Sequence, residues 1–457
     1  MLSLSVPDFL ADLKDVPMHG YLLMQDGQIV SEGCWSPFRP DRPHRLYSVS
    51  KSVVSLAIGL LLTDGKLSLS DPIVRYFPEY LPDDVHPFLE EVTIRDMLRM
   101  STCYSGAQYR PLQDDDWTKP FFQGEPNHVP GTVFSYDTSA SQVLCSLAEK
   151  LSGQDVLDFL EQRLFSPLGM SGPKFWLKDR SGHSQGGTGL GMTLRDFGKL
   201  SQFTMDQAQN LIDPDYLKAA TTKQTDTSEQ RNPDEKYGYG YQFWMARRGF
   251  CMYGLGGQMA FCLPEEKLSL CTLADTILSG TGVVPIHDAF FQNLGEDVKT
   301  QTVFPSLSFQ PIEGDTLYQK PACEIVLEKP IAPLDRFQLG QGIIRLHLMQ
   351  DDRWYDLPCG NGCWLQGTFP ASEEKCITSG AWVSDTRFEM HCELIGEWTS
   401  SLKMVLERKS DRCSVRLLSS TWEFQPGYSG DGWGSIGPIN PTGFYIPDLK
   451  SSDRRRT

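Results

Sequence analysis

One segment, residues 48–65 (SVSKSVVSLAIGLLLTDG), constrains the fold of this chain more than any other. Its apolar side chains recur on nearly every side of a helix, which predicts a helix that is buried all round. Such a helix needs a large core, which a chain of 457 residues with 40% hydrophobic residues can supply. The same helix begins with Ser and Lys, which are unusual residues for a buried position, so its first turn is a candidate for chemistry.

The charge and the composition exclude several classes of protein. The chain has 42 Lys+Arg against 58 Asp+Glu, a net charge of −16, whereas a nucleic-acid-binding protein needs a basic face. No positively charged stub precedes an apolar run at the start, and the longest apolar stretch, residues 53–62, is about half of what a transmembrane helix needs. We therefore expect a cytoplasmic protein without nucleic-acid or membrane partners, whose twelve Cys are reduced thiols.

Cys359 and Cys363, which flank Gly-Asn-Gly, have a spacing that suggests half of a metal site. No second Cys or His pair with ligand spacing follows them, so a turn is the better interpretation. The sequence therefore predicts no metal ion and no other cofactor.

The order of the predicted elements indicates an α+β unit. Asp26-Gly27 joins two extended runs as a hairpin ahead of the buried helix, and a helical pattern extends from about 72 to 230. Strands are then predicted at 239–248, 250–263 and 268–276, followed by a helix near 284–294.

Beyond about residue 300, apolar and polar residues alternate, which predicts an antiparallel β-barrel or sandwich. In one of these segments the residues expected to face the same side are Phe388, Met390, Cys392 and Leu394. We therefore divide the chain into a domain at 1–300 with a helical insertion at about 72–230, a β-domain at 301–445 and a loose tail at 446–457.

Capping signals predict several helix boundaries. Thr93 and Asp96 form a capping box in front of an apolar run, and Gly153 is placed to end the helix before it. A further helix is predicted from Asp155 to Leu164.

Ser48 and Lys51, at the start of the buried helix, are the sharpest chemical feature. They are three residues apart and so lie on one face of a helix. A Lys amine in a water-poor place can lose its proton and then accept the proton of a Ser hydroxyl, which makes that Ser a nucleophile. The alternative is that Ser48 caps the helix and Lys51 extends to the surface, but the apolar helix that follows favours a Lys near the core.

Gly182 to Gly186 competes with this pair, because it fits the G-x-S-x-G pattern with Ser184 as the nucleophile. That pattern needs a strand before it and a helix after it. Charged residues precede this run and further glycines follow it, so we interpret it as a glycine-rich loop.

Two further segments could contribute to a site. Tyr136 lies in a loop before a helix that Asp137 can cap, and a Tyr there could relay protons if a cation held its phenol ionised. The run Gly254 to Gln258 lies within a strand pattern, where glycines indicate close approach of another chain or a ligand. Backbone N–H groups in such a run could form an oxyanion hole, although a β-bulge would explain the glycines as well.

These modules, in this order, resemble serine hydrolases of the class C β-lactamase type, a superfamily that includes penicillin-binding proteins, family VIII carboxylesterases and 6-aminohexanoate-dimer hydrolases. The resemblance covers roughly residues 18–298 and implies a β-lactamase-like fold, in which helices flank an antiparallel sheet beside a helical subdomain. The segments that carry it are Leu22 to Trp35, Leu46 to Ser52, Gly65 to Asp71, Tyr76 to Pro78, Thr93 to Leu98, Leu164 to Gly169, Gly186 to Asp196 and Gly254 to Gln258.

The resemblance implies a role for each module. Ser48 would be the acylated nucleophile, Lys51 its proton acceptor, and Tyr136 the second acid/base group. The oxyanion hole would use the backbone N–H groups of Ser48 and Leu255. The residues implied around the substrate and the oxyanion are Gly254, Leu255, Gly256 and Asp137.

Two positions depart from the family pattern. Many relatives carry Tyr-x-Asn, whereas this chain has Tyr136-Asp137-Thr138, and Met252 occupies the place where Lys or His usually begins the third motif. In β-lactamases and penicillin-binding proteins that cation holds the substrate carboxylate. Its absence favours a neutral or cationic ester or amide.

The sequence therefore predicts a serine hydrolase that acts on a small ester or amide. β-Lactam or D-amino-acid peptide hydrolysis is an alternative, and a binding or scaffolding module without turnover is another. An aromatic group could line an acyl pocket, although a core cluster explains it better; its members are Tyr104, Trp117, Phe121 and Phe122. The β-domain could serve as a lid or as a dimer contact, so a homodimer is among the expectations.

Overall fold

The structure is a computed structural model, and it describes residues 2–110, 113–206, 210–296, 307–314, 320–370, 373–396, 400–420 and 429–439. The predicted tail at 446–457 lies outside these residues. The described residues form two compact units: unit 1 extends to Phe309 and unit 2 begins at Gln310.

The described α-helices all belong to unit 1. They are α1 Val6–Asp12, α2 Val49–Thr63, α3 Pro87–Glu91, α4 Ile94–Leu98, α5 Lys119–Gln123, α6 Thr138–Ser152, α7 Val156–Leu160, α8 Leu194–Asp206, α9 Pro214–Ala220 and α10 Val284–Gln292. Short 3₁₀ turns occur at Ile73–Tyr76, Pro78–Tyr80, Pro233–Glu235 and Pro264–Glu266, and a π-helical turn at Glu161–Phe165. Within the described ranges, none of these helices combines the length and apolar character needed to cross a bilayer.

Unit 1 is built on a seven-stranded sheet in the order β12-β3-β2-β10-β9-β8-β7, in which only the short β12 pairs in parallel. Two smaller sheets, β4-β6-β5 and β1-β11, accompany it. The strands of unit 1 are β1 Ser3–Leu4, β2 Met18–Gln25, β3 Gln28–Ser36, β4 His44–Arg45, β5 Lys174–Trp176, β6 Leu190–Met192, β7 Trp244–Met245, β8 Phe250–Gly254, β9 Gln258–Leu263, β10 Leu268–Ala274, β11 Leu294–Gly295 and β12 Leu307–Ser308.

The central sheet separates two apolar cores. Successive side chains of a strand point to opposite faces, so on β2 Tyr21 and Leu23 enter one core, while Leu22 and Met24 enter the other. Helices α1 and α10 cover the first face, and the second face packs on the larger core that contains α2. Burial on both faces fixes the register of the sheet, because a slip of one residue would exchange the two sets of side chains.

Helix α2 is the buried helix that the sequence predicts. Its residues from Val49 to Leu61 are all buried, and its polar side chains are hydrogen-bonded inside the core. Ser52 Oγ donates to the carbonyl of Gln242 at 2.6 Å, and Ser55 Oγ lies 2.9 Å from the hydroxyl of Tyr216. Because each of these buried hydroxyls has a hydrogen-bond partner, they help to orient α2 within a core that is otherwise apolar.

Several predicted helix ends are confirmed. The capping box of Thr93 and Asp96 opens α4, and Gly153 ends α6 in the left-handed conformation, with φ +72°. The helix predicted from Asp155 to Leu164 is partly wrong, because α7 changes to a π-helical turn after Leu160.

Two strand predictions need correction. The strand expected at 239–248 is reduced to β7, because Gly238 and Gln242 adopt positive φ and bend the chain before it. The strand expected at 250–263 is a hairpin instead: β8 and β9 pair with each other around a turn in which Gly256 and Gly257 have φ of +82° and +102°. This turn requires glycine, so the glycines mark a reversal of the chain and not a β-bulge.

Unit 2 is an antiparallel ten-stranded sheet in the order β16-β15-β14-β13-β22-β21-β20-β19-β18-β17. Its end strands approach each other, since a Cβ on Gly367 would lie 2.8 Å from Pro358 Cδ, so the sheet is a nearly closed barrel. Phe388, Met390, Cys392 and Leu394 are all buried on one side, as predicted. The strands are β13 Cys323–Ile331, β14 Leu334–Gly340, β15 Ile343–Leu348, β16 Arg353–Pro358, β17 Leu365–Thr368, β18 Lys375–Trp382, β19 Arg387–Leu394, β20 Ser401–Lys409, β21 Arg412–Ser419 and β22 Gly430–Pro438.

Candidate active site

The first turn of α2 brings Ser48 and Lys51 together. Lys51 Nζ lies 2.9 Å from Ser48 Oγ and donates a hydrogen bond to the carbonyl of Gly187 at 2.9 Å. The Lys51 side chain is only 1% exposed, whereas Ser48 is half-buried. The pair therefore combines a reachable hydroxyl with an amine shielded from water, at a distance over which a proton can pass between them.

The chain enters α2 through a strained residue. Tyr47, immediately before Ser48, has φ +49°, a conformation that is uncommon for a residue with a side chain. The carbonyls of Leu46 and Tyr47 accept hydrogen bonds from Val49 N and Ser50 N. These two hydrogen bonds form a tight turn that holds Ser48 in place at the start of α2.

Tyr136 lies beside both Ser48 and Lys51. Its hydroxyl interacts with the Ser48 hydroxyl and with Trp244, and Lys51 Nζ is 5.1 Å from the centre of its ring. Burial raises the pKa of Tyr136 above its usual value of 10.0, and these hydrogen bonds only partly offset the effect. The phenol is therefore protonated at neutral pH, whereas the proton relay considered from the sequence requires an ionised phenol.

Asp137 caps helix α6. Its Oδ1 accepts a hydrogen bond from Ser139 N at 2.8 Å and another from the Ser139 hydroxyl. Burial raises the pKa of Asp137 to about 6, although these bonds and the charge of Lys51 act in the opposite direction. Asp137 has no exposed surface, so it cannot touch a substrate in this conformation and reaches the site only through its neighbours.

The turn between β8 and β9 packs directly against the entrance to α2. A Cβ on Gly254 would lie 2.2 Å from the carbonyl oxygen of Leu46, so only glycine fits there. Gln258 holds the turn, because its Nε2 donates to Leu255 O at 2.8 Å and to Ala274 O at 2.7 Å. The carbonyl of Gly256 accepts a hydrogen bond from Thr276 N at 3.0 Å, which anchors the same turn.

The two N–H groups expected to form an oxyanion hole are available. Among the described residues, the backbone N–H of Ser48 and that of Leu255 donate no hydrogen bond. Leu255 is 49% exposed, so its peptide lies at the surface of the turn. Backbone N–H donors without a hydrogen-bond partner are what an oxyanion hole requires.

The rival serine is not placed as a nucleophile. Ser184 is 1% exposed and forms only an isolated β-bridge with Lys178. It has neither the preceding strand nor the following helix that the G-x-S-x-G pattern needs.

The glycine-rich loop after Ser184 makes room for Lys51. A Cβ on Gly187 would lie 2.3 Å from Thr138 Cγ2 and 3.2 Å from Lys51 Nζ, so this glycine allows the close approach that Lys51 needs.

The aromatic group between α4 and α6 is part of the core. Tyr104, Phe121 and Phe122 have no exposed surface, and the Tyr104 hydroxyl donates to the carbonyl of Phe121 at 2.7 Å. Trp117 is 6% exposed and stacks on Tyr109. The core interpretation is therefore the better of the two.

Gln242 is a positioning residue that the sequence does not reveal. Its Oε1 accepts from Ser141 at the start of α6, its carbonyl accepts from Ser52 on α2, and its Nε2 donates to the carbonyls of Met97 and Leu98 at the end of α4. One buried amide thus connects the helix that carries Lys51 with the helix that follows Tyr136.

A match to a known family model identifies the family of the chain. The family model described as "Beta-lactamase" matches residues 10–277, which is more than half of the chain. The chain belongs to the beta-lactamase family. It is therefore a member of a family of serine-type hydrolases, and its curated relatives include one named as an esterase and one named as a 6-aminohexanoate-dimer hydrolase.

Two curated relatives match this member of the beta-lactamase family over part of their length. The 6-aminohexanoate-dimer hydrolase of Paenarthrobacter ureafaciens is 23% identical over 222 residues, 45% of this chain and 56% of the relative. Esterase EstB of Burkholderia gladioli is 27% identical over 177 residues, 34% of this chain and 44% of the relative. The chain thus spans about half the length of the curated relatives it matches.

Solved structures show the same fold. The octameric penicillin-binding protein homologue from Pyrococcus abyssi matches with a TM-score of 0.51 and 14% identity, over 90% of this chain and 98% of that one. EstCE1, described as a hydrolase with promiscuous acyltransferase activity, matches with a TM-score of 0.50 and 17% identity, over 62% of this chain and 98% of that one. At these identities the likeness concerns the fold alone.

Proposed function

We propose that this chain is a serine hydrolase that cleaves a small ester or amide through an acyl-enzyme on Ser48. The observation that carries the proposal is the 2.9 Å distance between the Ser48 hydroxyl and the buried Lys51 amine, with the protonated hydroxyl of Tyr136 also interacting with Ser48. These are a nucleophile, a proton acceptor and a proton donor arranged around one point.

The acylation step follows from these positions. Ser48 Oγ attacks the carbonyl carbon of the substrate as its proton passes to a neutral Lys51. The N–H groups of Ser48 and Leu255 hold the oxyanion, and Tyr136 gives its proton to the leaving alcohol or amine as the carbonyl–leaving-group bond breaks. This step leaves an acyl-Ser48 ester, a Lys51 ammonium and a Tyr136 phenolate.

Deacylation restores each group. The Tyr136 phenolate takes a proton from water, and the resulting hydroxide attacks the acyl carbonyl. The bond to Ser48 Oγ then breaks, and Lys51 returns its proton to that oxygen. No proton is gained or lost over the whole cycle apart from those of the hydrolysed bond.

Met252 supports an ester or amide over a β-lactam. Its side chain has no exposed surface and lies in the large core of unit 1. The resemblance to β-lactamases and penicillin-binding proteins implies a cation that binds a substrate carboxylate at this position. The relatives named as an esterase and as a 6-aminohexanoate-dimer hydrolase agree with the ester and amide alternatives. A cytoplasmic location is part of the proposal, because all twelve cysteines are free thiols.

The test compares Ser48→Ala with Ser184→Ala in the hydrolysis of p-nitrophenyl acetate. We expect Ser48→Ala to lower kcat/KM by about a thousandfold or more, because the covalent step is lost, and Ser184→Ala to stay within about twofold of wild type. Mass spectrometry should find a fluorophosphonate probe on Ser48. Equal hydrolysis by wild type and Ser48→Ala, or a probe found on Ser184, would refute the proposal.

A further inference from the structure

Glu235 is a carboxylate beside the site that the mechanism above does not use. It ends the short turn Pro233–Glu235 and is half-buried. Asn232 Nδ2 donates to its Oε1 at 3.1 Å, and the hydroxyl of Tyr253 interacts with the same carboxylate. Burial raises the pKa of Glu235, so the surroundings do not fully compensate its charge.

The turn that carries Glu235 is firmly held, but its ion pairs do not involve Glu235. Arg247 Nε lies 2.6 Å from Asp234 Oδ1, and another nitrogen of Arg247 lies 2.7 Å from Asp288 Oδ1. Within the described ranges, no Lys, Arg or His nitrogen lies within 4 Å of the Glu235 carboxylate. Glu235 is therefore a positioned negative charge without a cation.

Glu235 lies on the Tyr136 side of the site. Its charge acts on the Tyr136 hydroxyl and raises the pKa of that group. The rings of Tyr136, Trp244 and Tyr253 are continuous, since Trp244 stacks on Tyr136 with centroids 5.5 Å apart and lies 6.5 Å from Tyr253. In the proposed mechanism Tyr136 protonates the leaving group, so the carboxylate and the aromatic rings border the place where the leaving group lies.

We propose that Glu235 binds a positively charged group on the leaving portion of the substrate, so that the enzyme selects esters or amides of cationic alcohols or amines. This inference rests on the proposed function. A carboxylate provides the opposite charge, and the half-buried rings of Tyr136 and Tyr253 provide the faces that alkylammonium groups prefer. The uncharged Met252 leaves that strand position without a cation that would repel such a substrate.

The test uses two esters of the same shape that differ only in charge: acetylcholine and 3,3-dimethylbutyl acetate. We expect wild type to prefer the cationic ester in kcat/KM by about tenfold or more, and Glu235→Gln to bring the ratio near one while the neutral ester changes by less than about threefold. Gln keeps an oxygen that can accept from Asn232 and Tyr253, so the variant removes the charge and preserves the turn. The control is Glu229→Gln, which removes an exposed carboxylate earlier in the same loop and should leave the ratio unchanged.

Binding of the free alcohols separates this inference from the proposed function. Choline should bind wild type and Ser48→Ala more tightly than 3,3-dimethylbutan-1-ol by calorimetry, and Glu235→Gln should abolish the difference. If choline is selected in this way while Ser48→Ala hydrolyses esters as fast as wild type, the proposed function fails and the cation site stands. Equal treatment of both esters and both alcohols by wild type, or an equal loss for both esters in Glu235→Gln, overturns the inference.

Discussion

At the scale of single residues, the cap of helix α6 is a buried carboxylate, whose burial lowers the stability of the folded protein. An uncharged cap would also accept the hydrogen bond from Ser139 N, yet the chain uses Asp137, a carboxylate with no exposed surface. Burial favours its protonated form, while the charge of Lys51 favours the ionised form. The ionised Asp137 therefore places a negative charge near Lys51, and burial of that charge lowers the free energy of unfolding.

We predict that Asp137→Asn stabilises the protein above pH 6. The pKa rises from 3.8 to about 6 on folding, so the folded state holds this proton more tightly, and stability falls as the pH increases from about 4 to about 6. The difference of about two pKa units corresponds to about 3 kcal/mol. Asn can accept the same bond without ionising, so urea unfolding should show a gain approaching this value at pH 8 and none near pH 3.5.

The control for this prediction is Asp84→Asn, in which the replaced side chain is exposed. It should change the free energy of unfolding by less than about 0.5 kcal/mol at either pH. A stability gain in Asp137→Asn that is the same at pH 3.5 and pH 8 would contradict the argument, because the gain must follow the ionisation of the carboxyl group.

At the scale of elements, helix α2 depends on one close contact. Gly59 lies in its interior, where a Cβ would lie 2.7 Å from Tyr216 Cε1 and 2.8 Å from Ile212 Cγ2. The ring of Tyr216 cannot move away freely, because its hydroxyl donates to the carbonyl of Ser55 at 2.8 Å. The missing side chain therefore allows α9 to pack against α2.

We predict that Gly59→Ala destabilises the protein despite the better helix propensity of Ala. The propensity gain is about 1 kcal/mol, whereas overpacking of a well-filled core costs typically 1–3 kcal/mol and here also threatens a buried hydrogen bond. Urea unfolding should show a net loss of about 1 kcal/mol or more. Gly106→Ala, outside any helix and with no atom within 4 Å of the added Cβ, is a control for the packing effect alone. A stabilised Gly59→Ala would disprove the close-packing argument.

Local signals account for most of the elements that the sequence predicted. The all-round apolar pattern of α2, the capping box of α4 and the glycine that ends α6 are each contained within one element. The strand expected at 239–248 failed because the positive φ of Gln242 serves contacts with three distant helices, which no local pattern encodes. The same holds for the bond between Lys51 and Gly187, which joins residues 136 positions apart.

At the scale of the whole molecule, unit 1 buries two histidines that resist protonation. Burial lowers the pKa of His44 and of His287 to about 4. His44 Nδ1 donates to the carbonyl of Arg45, and its Nε2 lies 2.9 Å from His19 Nδ1, where it acts as an acceptor only while the ring is neutral. His287 lies 3.4 Å from an Asp234 oxygen, but Arg247 already neutralises that carboxylate.

These two histidines should set the acid limit of unit 1. A pKa that falls from 6.5 to about 4 on folding means that the unfolded state binds the proton first, so stability is lost as the pH falls from about 6.5 to about 4. Each pKa shift of about 2.5 units corresponds to about 3 kcal/mol of stability lost on acidification. Protonation of Asp137 stabilises the folded state by about 3 kcal/mol over nearly the same pH range. For His44, His287 and Asp137 taken together, acidification from pH 7 to pH 4 should therefore lower the stability of unit 1 by about 3 kcal/mol.

Pulse proteolysis in urea, with detection of peptides from α2, measures this loss for unit 1 by itself. His44→Gln should remove about 3 kcal/mol of the pH dependence, because Gln can donate to Arg45 O and accept from His19 without gaining a charge. In the Asp137→Asn background the loss should increase by about 3 kcal/mol, since the opposing contribution of Asp137 disappears. His86→Gln replaces an exposed ring and should leave the slope of stability against pH unchanged. If His44→Gln retains the wild-type slope, burial of this imidazole does not limit the stability of the fold in acid.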